Sequence, residues 1–257
     1  MKKQYIFLLV LFLSGGFYSI NSYGVNYVNE LFNKANKEYH DRNYQQAIDD
    51  YLKINSQNYQ SPELYYNLGN CYYKTDSIGK SILFYEKAKR LSPSDESIAF
   101  NLQLANLKVT DKIEPVSDFI LVQWWNNLVR SIAADSWAVC AIVLLWIGLM
   151  VLLFFFFSPS LNVRKVSFFG GAIFLFLSAV IFTFTFSRYH YDTTVKYGVI
   201  IYSTAHIMSE PDDKSKELFV LHEGIKVRLL SSSDNYNNIE LPDGKQGWVE
   251  DGALGKI

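Results

Sequence analysis

Two strongly apolar stretches, Trp137 to Phe157 and Val166 to Phe186, carry no charged side chain. About 20 apolar residues are needed for a helix to cross a bilayer core, where backbone polar groups must be satisfied internally. The remaining chain is too small and too polar to bury two such helices in a soluble core. The pattern therefore predicts a membrane-crossing helical pair over 136–187, with spans at 137–157 and 166–186. A shorter apolar run, Tyr5 to Leu13, follows Lys2 and Lys3, and Ser22 and Gly24 are small residues spaced as at a cleavage site. This predicts a signal peptide at 1–24, cut before Val25; a retained third membrane helix is the alternative, and both place residue 25 onward outside the cytoplasm.

From Tyr197 the rhythm becomes extended. VIIYST, LFVLHEG, IKVRLLSSS and NNIELPDGKQGWVE read as short strands rich in β-branched and aromatic residues. Asp243-Gly244 supplies a hairpin turn and Gly224 ends a strand, which predicts about five strands in a small barrel over 194–257. Ahead of the first span, Ile120, Trp124, Leu128 and Ile132 fall four residues apart, with Phe119 beside the first. Residues 113–135 are thus expected to hold an amphipathic helix, lying in the membrane interface or packed on protein. The linker between the spans, 158–165, carries Arg164 and Lys165 and no acid, which places it in the cytoplasm and both soluble parts outside.

The first soluble part repeats itself. Shifted by 34 residues, Ala35 matches Gly69, Asn36 matches Asn70, Tyr39 matches Tyr73, Ala47 matches Ser81, and Tyr51 matches Tyr85. A 34-residue period with small and aromatic residues at these offsets is the tetratricopeptide pattern, predicted over 25–112 as about two and a half repeats. Ala35, Ala47, Gly69, Ser81 and Ala88 are expected where helices cross, with Tyr51, Tyr72 and Tyr85 around them and Pro93 as a helix stop. A third unit begins with Phe100, Asn101 and Leu102, and its first helix is expected to close the stack. Gly79-Lys80-Ser81 resembles the end of a phosphate loop but lacks the glycine five residues before Gly79, so it reads as helical punctuation.

Charge and chemistry add little to this. With 24 basic and 25 acidic residues, no overall field recruits nucleic acid. Cys71 and Cys140 lie in different segments and read as small apolar fillers. His40, His190, His206 and His222 are scattered without metal-ligand spacing, and neither HExxH nor GxSxG occurs. No metal, no cofactor and no catalytic constellation is expected. Candidate partner-binding residues come from the repeats: Phe32, Tyr66 and Phe100 share one position, Tyr39 and Tyr73 another, Asn36 and Asn70 a third. Similarity to tetratricopeptide domains places these on a concave groove, the asparagines holding a ligand's main chain and His40 and Lys74 at the rim. Packing between neighbouring helices is the plainer role for the aromatics.

The tail resembles bacterial SH3-type domains, most specifically at Gly247-Trp248-Val249, and departs from them at Asn235-Tyr236-Asn237-Asn238, where a tryptophan is usual. The whole chain is a multidomain membrane protein that combines an all-α tetratricopeptide-repeat solenoid, a transmembrane helical hairpin and a small all-β SH3-like barrel. This order, with FNLQLANLK, DFILVQWWNNL and LFVLHEGIKV, resembles the E-type member of the Bat (Bacteroides aerotolerance) family. The resemblance implies a non-enzymatic inner-membrane scaffold working beside von Willebrand A-domain membrane proteins and a MoxR-type ATPase. An envelope-binding module, gripping peptidoglycan through the tail and recruiting a wall enzyme through the repeats, is the alternative.

Overall fold

The computed structural model describes residues 22–116 and 119–257. The expected signal sequence lies almost wholly outside these residues, and its cut before Val25 falls within the first turn of the first helix. Five helices come first: α1 (Ser22–His40), α2 (Tyr44–Asn55), α3 (Pro62–Lys74), α4 (Ile78–Leu91) and α5 (Glu96–Leu107). Their ends follow from local chemistry. Ser61 Oγ accepts from Leu64 N and Pro62 opens α3, while Asp95 Oδ1 accepts from the Ser97 and Ile98 amides at the start of α5. The turns α1–α2 and α3–α4 contain Arg42 and Asp76, 34 residues apart and both left-handed at φ 64° and 58°.

α1 with α2 and α3 with α4 form two helical hairpins, and α5 covers the second. Small residues let them close. A Cβ on Gly69 would lie 2.5 Å from Tyr85 Cδ1, and Ser81 Oγ donates to the Gly69 carbonyl at 2.9 Å. Ala35, Ala47 and Ala88 are fully buried, Tyr51 and Tyr85 nearly so, and Tyr72 stacks on Phe84 at 5.4 Å. α4 ends at Leu91, two residues before Pro93.

Next come α6 (Ile120–Arg130), α7 (Ala134–Phe157) and α8 (Leu161–Thr194). Among the described residues, α7 and α8 are the two helices long and apolar enough to cross a membrane. They touch through small residues: Gly148 lies against Leu175, Gly171 against Leu152, and Ser178 Oγ donates to the Ala141 carbonyl at 2.8 Å. At 1.5 Å per residue, α8 runs about 51 Å, well beyond a hydrocarbon core of about 30 Å. Its length corrects the expected linker. Only Ser158–Ser160 separate the helices, because α8 begins at Leu161 and takes Arg164 and Lys165 into its first turns, Arg164 folding over the Phe155 ring at 5.0 Å.

The tail is a seven-stranded antiparallel sheet in the order β3-β2-β6-β5-β4-β1-β7. The strands are β1 (Lys196–Ile200), β2 (Thr204–Met208), β3 (Glu217–His222), β4 (Lys226–Ser233), β5 (Tyr236–Glu240), β6 (Gln246–Glu250) and β7 (Leu254–Lys256). Two strands more than expected arise for one identifiable reason each. VIIYST breaks after Ile200, where Ile201 N turns to the Ala253 carbonyl, so its end opens β2 instead. The last residues then return as β7 along β1, with Ile200 opposite Leu254.

The helical and sheet units share one core, which their separate reading in the sequence did not foresee. Ile78, Ile82, Leu83, Leu102 and Val109 join Val199, Ile200, Ile225, Val227 and Leu254 in a single buried cluster. Gly79 marks a close backbone approach: a Cβ there would stand 2.6 Å from the Ile200 carbonyl oxygen. Its own amide donates to Glu223 Oε2 at 2.7 Å, so a sheet carboxylate caps the positive end of α4. Asp111 grips His222 at its amide (2.7 Å) and Nδ1 (2.9 Å), and Lys226 Nζ meets Glu86 at 2.6 Å. Two helical hairpins and one covering helix make a small body, and the sheet buries part of its apolar surface.

Candidate functional site

The repeat asparagines are placed by α1 and α3. Asn36 Oδ1 accepts from Tyr51 Oη at 2.6 Å and from Asn67 Nδ2 at 3.0 Å. One unit later, Asn70 Oδ1 accepts from Tyr85 Oη at 2.6 Å and from Asn101 Nδ2 at 2.9 Å. Each amide thus ties the second helix of its own hairpin to the first helix of the next. Asn36 and Asn70 were expected to hold a ligand's main chain; their carbonyl oxygens are used inside the stack, which leaves the Nδ2 donors for that role. Desolvation pushes the Tyr51 and Tyr85 hydroxyls above their ordinary range, so they stay protonated donors.

Around the second of these buckles lies a cavity of about 260 Å³ lined by Tyr39, Tyr66, Asn70, Tyr73, Lys74, Tyr85, Asn101 and Leu104. Five expected binding residues, Tyr39, Tyr66, Asn70, Tyr73 and Lys74, meet there. Asn101 Nδ2 also donates to Tyr66 Oη at 2.9 Å, fixing that ring at the mouth. Lys108 Nζ stands 4.5 Å from the Tyr73 ring centre and 2.9 Å from Asp76. Lys74 is exposed and is the one charged side chain in the lining among the described residues.

Other expected members fall elsewhere. Phe32 packs edge-on against Tyr51 at 5.7 Å and belongs to the core of the first hairpin. His40 is exposed at the end of α1 and lines none of the described cavities. Phe100 is 59% exposed and borders a shallower hollow with Tyr66, Glu96, Ser97 and Asn101. Tyr85 was expected as packing alone, Asn101 and Leu104 were not expected in the lining, and Asn67 was not expected at the Asn36 buckle. Their signal was present: Asn33, Asn67 and Asn101 recur at 34 residues, three before the Asn36 and Asn70 positions.

A second cavity, about 340 Å³, opens on the sheet between Tyr202, His206, Asp213, Glu217, Tyr236 and Glu250. Tyr236 Oη donates to Asp213, which pushes its phenol up to about 12, and His206 Nδ1 lies 2.7 Å from Glu217. Aromatic faces beside carboxylates suit a polyhydroxylated or cationic ligand. Cys71 is fully buried, and desolvation raises its thiol to about 12, which removes it as a nucleophile at neutral pH. No group of three potential metal ligands occurs among the described residues. Compared with protein-family models the chain matches none, and no curated protein sequence matches it.

Proposed function

We propose that the chain is a membrane-anchored, non-catalytic scaffold whose helical hairpins act as tetratricopeptide repeats and hold a partner's peptide. The observation that carries this reading is the convergence of Tyr39, Tyr66, Asn70, Tyr73 and Lys74 on one cavity. Tyrosine faces give apolar contact with polar rims, and the Asn70 amide offers a donor to a peptide carbonyl. Lys74 is the sole charge in the lining, so the fitting peptide brings a carboxylate. With the tail read as an SH3-type domain, the order of parts supports the Bat-family reading. Its partners are then von Willebrand A-domain membrane proteins and a MoxR-type ATPase system, at the bacterial inner membrane with both soluble units periplasmic.

The test is co-purification from native membranes. Tyr73→Ala combined with Lys74→Ala removes an aromatic anchor and the one charge while sparing the Asn70 buckle. Anchors of this kind contribute about 2 kcal/mol or more each, so partner recovery falls more than about tenfold with helix content unchanged. Full recovery by a folded double variant removes the groove from the account.

A second reading is favoured by the sheet cavity, whose Tyr202 and Tyr236 beside Asp213 and Glu250 suit a wall glycan. In that reading the full chain in detergent sediments with isolated peptidoglycan and loses this on Tyr202→Ala, whereas the scaffold reading predicts no sedimentation.

A further inference from the structure

A further cavity, distinct from the repeat groove, lies where the two soluble units meet the membrane helices. It measures about 360 Å³ and is walled by α4, α6, α8 and β1. Five cations (Lys89, Arg90, Arg130, Arg188 and Lys226) face it against two carboxylates, Glu86 and Asp192. Lys226 is matched by Glu86 at 2.6 Å. Among the described residues, Arg90 donates to the backbone oxygen of Ile257 alone, Arg130 stacks over the Tyr191 ring at 3.8 Å, and Lys89 makes neither ion pair nor hydrogen bond.

Arg188 is the most unusual of these. It is 5% exposed, and its Nε lies 3.0 Å from Asp192 Oδ2. That separation makes an ion pair by distance, yet Nε is left without an aligned hydrogen bond, and no other guanidinium nitrogen donates one among the described residues. Asp192 thus faces Nε alone, and the Nη1 and Nη2 donors, which no described residue accepts from, are left for an acceptor in the cavity.

The height of the cavity is fixed by its neighbours. Arg130 closes α6 just before α7 begins, and Arg188 follows Phe186, the end of the apolar part of α8, by two residues. Trp125 and Trp137 both pack edge-on against Phe184, at 5.2 and 5.3 Å, just below. Tryptophans gather at the headgroup level of a bilayer, so the cavity opens where lipid phosphates lie.

We propose that this junction is a binding site for a phosphate-bearing anion, with Arg188 as its buried donor and Lys89, Arg90 and Arg130 as its rim. Arginine forks match phosphate oxygens, and the rim has an excess of positive charge. Its placement at headgroup height rests on α7 and α8 crossing a bilayer and is independent of the peptide groove.

The experiment uses the full chain in nonionic detergent, with three probes: phosphatidylglycerol, phosphatidylcholine and inorganic phosphate. Thermal unfolding by tryptophan fluorescence and lipid retention by native mass spectrometry are the readouts. Phosphatidylglycerol raises Tm and is retained, phosphatidylcholine is not, and Lys89→Gln with Arg130→Gln weakens retention about tenfold. Arg188→Gln has a stronger effect if it folds, and the rim variants report in either case. Protection by phosphatidylglycerol alone assigns the anion to lipid; protection by inorganic phosphate as well, or alone, assigns it to the phosphate group or to a free anion. No protection by either probe, equal retention of both lipids with no effect of phosphate, or protection indifferent to the rim variants overturns the proposal.

Discussion

Tyr85 concentrates the residue-scale logic of the molecule. Its ring fills the space a side chain on Gly69 would need, and its hydroxyl donates to Asn70 while Asn101 approaches the same oxygen from α5. Tyr85→Phe should therefore cost about 1 kcal/mol, the worth of one internal hydrogen bond, read as a lower urea midpoint at unchanged slope. Gly69→Ala meets the ring itself and should cost about 1–3 kcal/mol by overpacking. Cys71 makes a prediction about chemistry. With its thiol held near 12 by burial, maleimide at pH 8 should leave it unlabelled in a folded Cys140→Ser variant and label it in urea; labelling of the folded protein would restore a reactive thiol. Much at this scale was legible because the 34-residue period repeats Tyr51 as Tyr85 and Asn36 as Asn70. What the period could not say was which way an amide points. A repeated asparagine serves a ligand or a neighbouring helix equally well in sequence, and here the neighbour takes the oxygen.

Among the elements, α4 has the most to satisfy. It packs on α3 and α5, receives β1 and β7 on its outer face, and borders the membrane-side cavity through Glu86, Lys89 and Arg90. Gly79 permits this by leaving room for the Ile200 carbonyl. Gly79→Val should lever the sheet from the helices, seen as faster amide exchange in β1 and α4 with the apolar spans unaffected. Slow exchange in β1 of that variant would mean that the shared core tolerates the displacement. The apolar spans, the repeats and the strand-rich tail were each legible from their own periodicity. Their union was not, because the residues that make it, Ile82, Leu83, Val109, Ile225 and Leu254, each look like ordinary core positions of their own unit. The short stretch Ser158–Ser160 was missed for a related reason: charged Arg164 and Lys165 mark the end of an apolar span but do not end a helix.

For the whole molecule the shared core constrains topology. Helices α1–α5 and the sheet touch directly, so if α7 and α8 both cross a bilayer, the two soluble units lie on one side of it. Reporter fusions at Lys112 and Lys256 should report the same compartment, the periplasm if the Arg164–Lys165 end stays inside; opposite compartments would be incompatible with the docked sheet. A body so anchored holds its groove at a fixed height above the membrane, which suits recruitment of another membrane protein's peptide. The most direct test of that claim places a photo-crosslinking amino acid at Leu104 inside the groove, and separately at the exposed Gln103 beside it, in the full chain in native membranes. The groove position should yield a discrete polypeptide adduct that Tyr73→Ala with Lys74→Ala abolishes, and the outer position should not. Equal adducts from both positions, or adducts unchanged by the double substitution, would contradict the account.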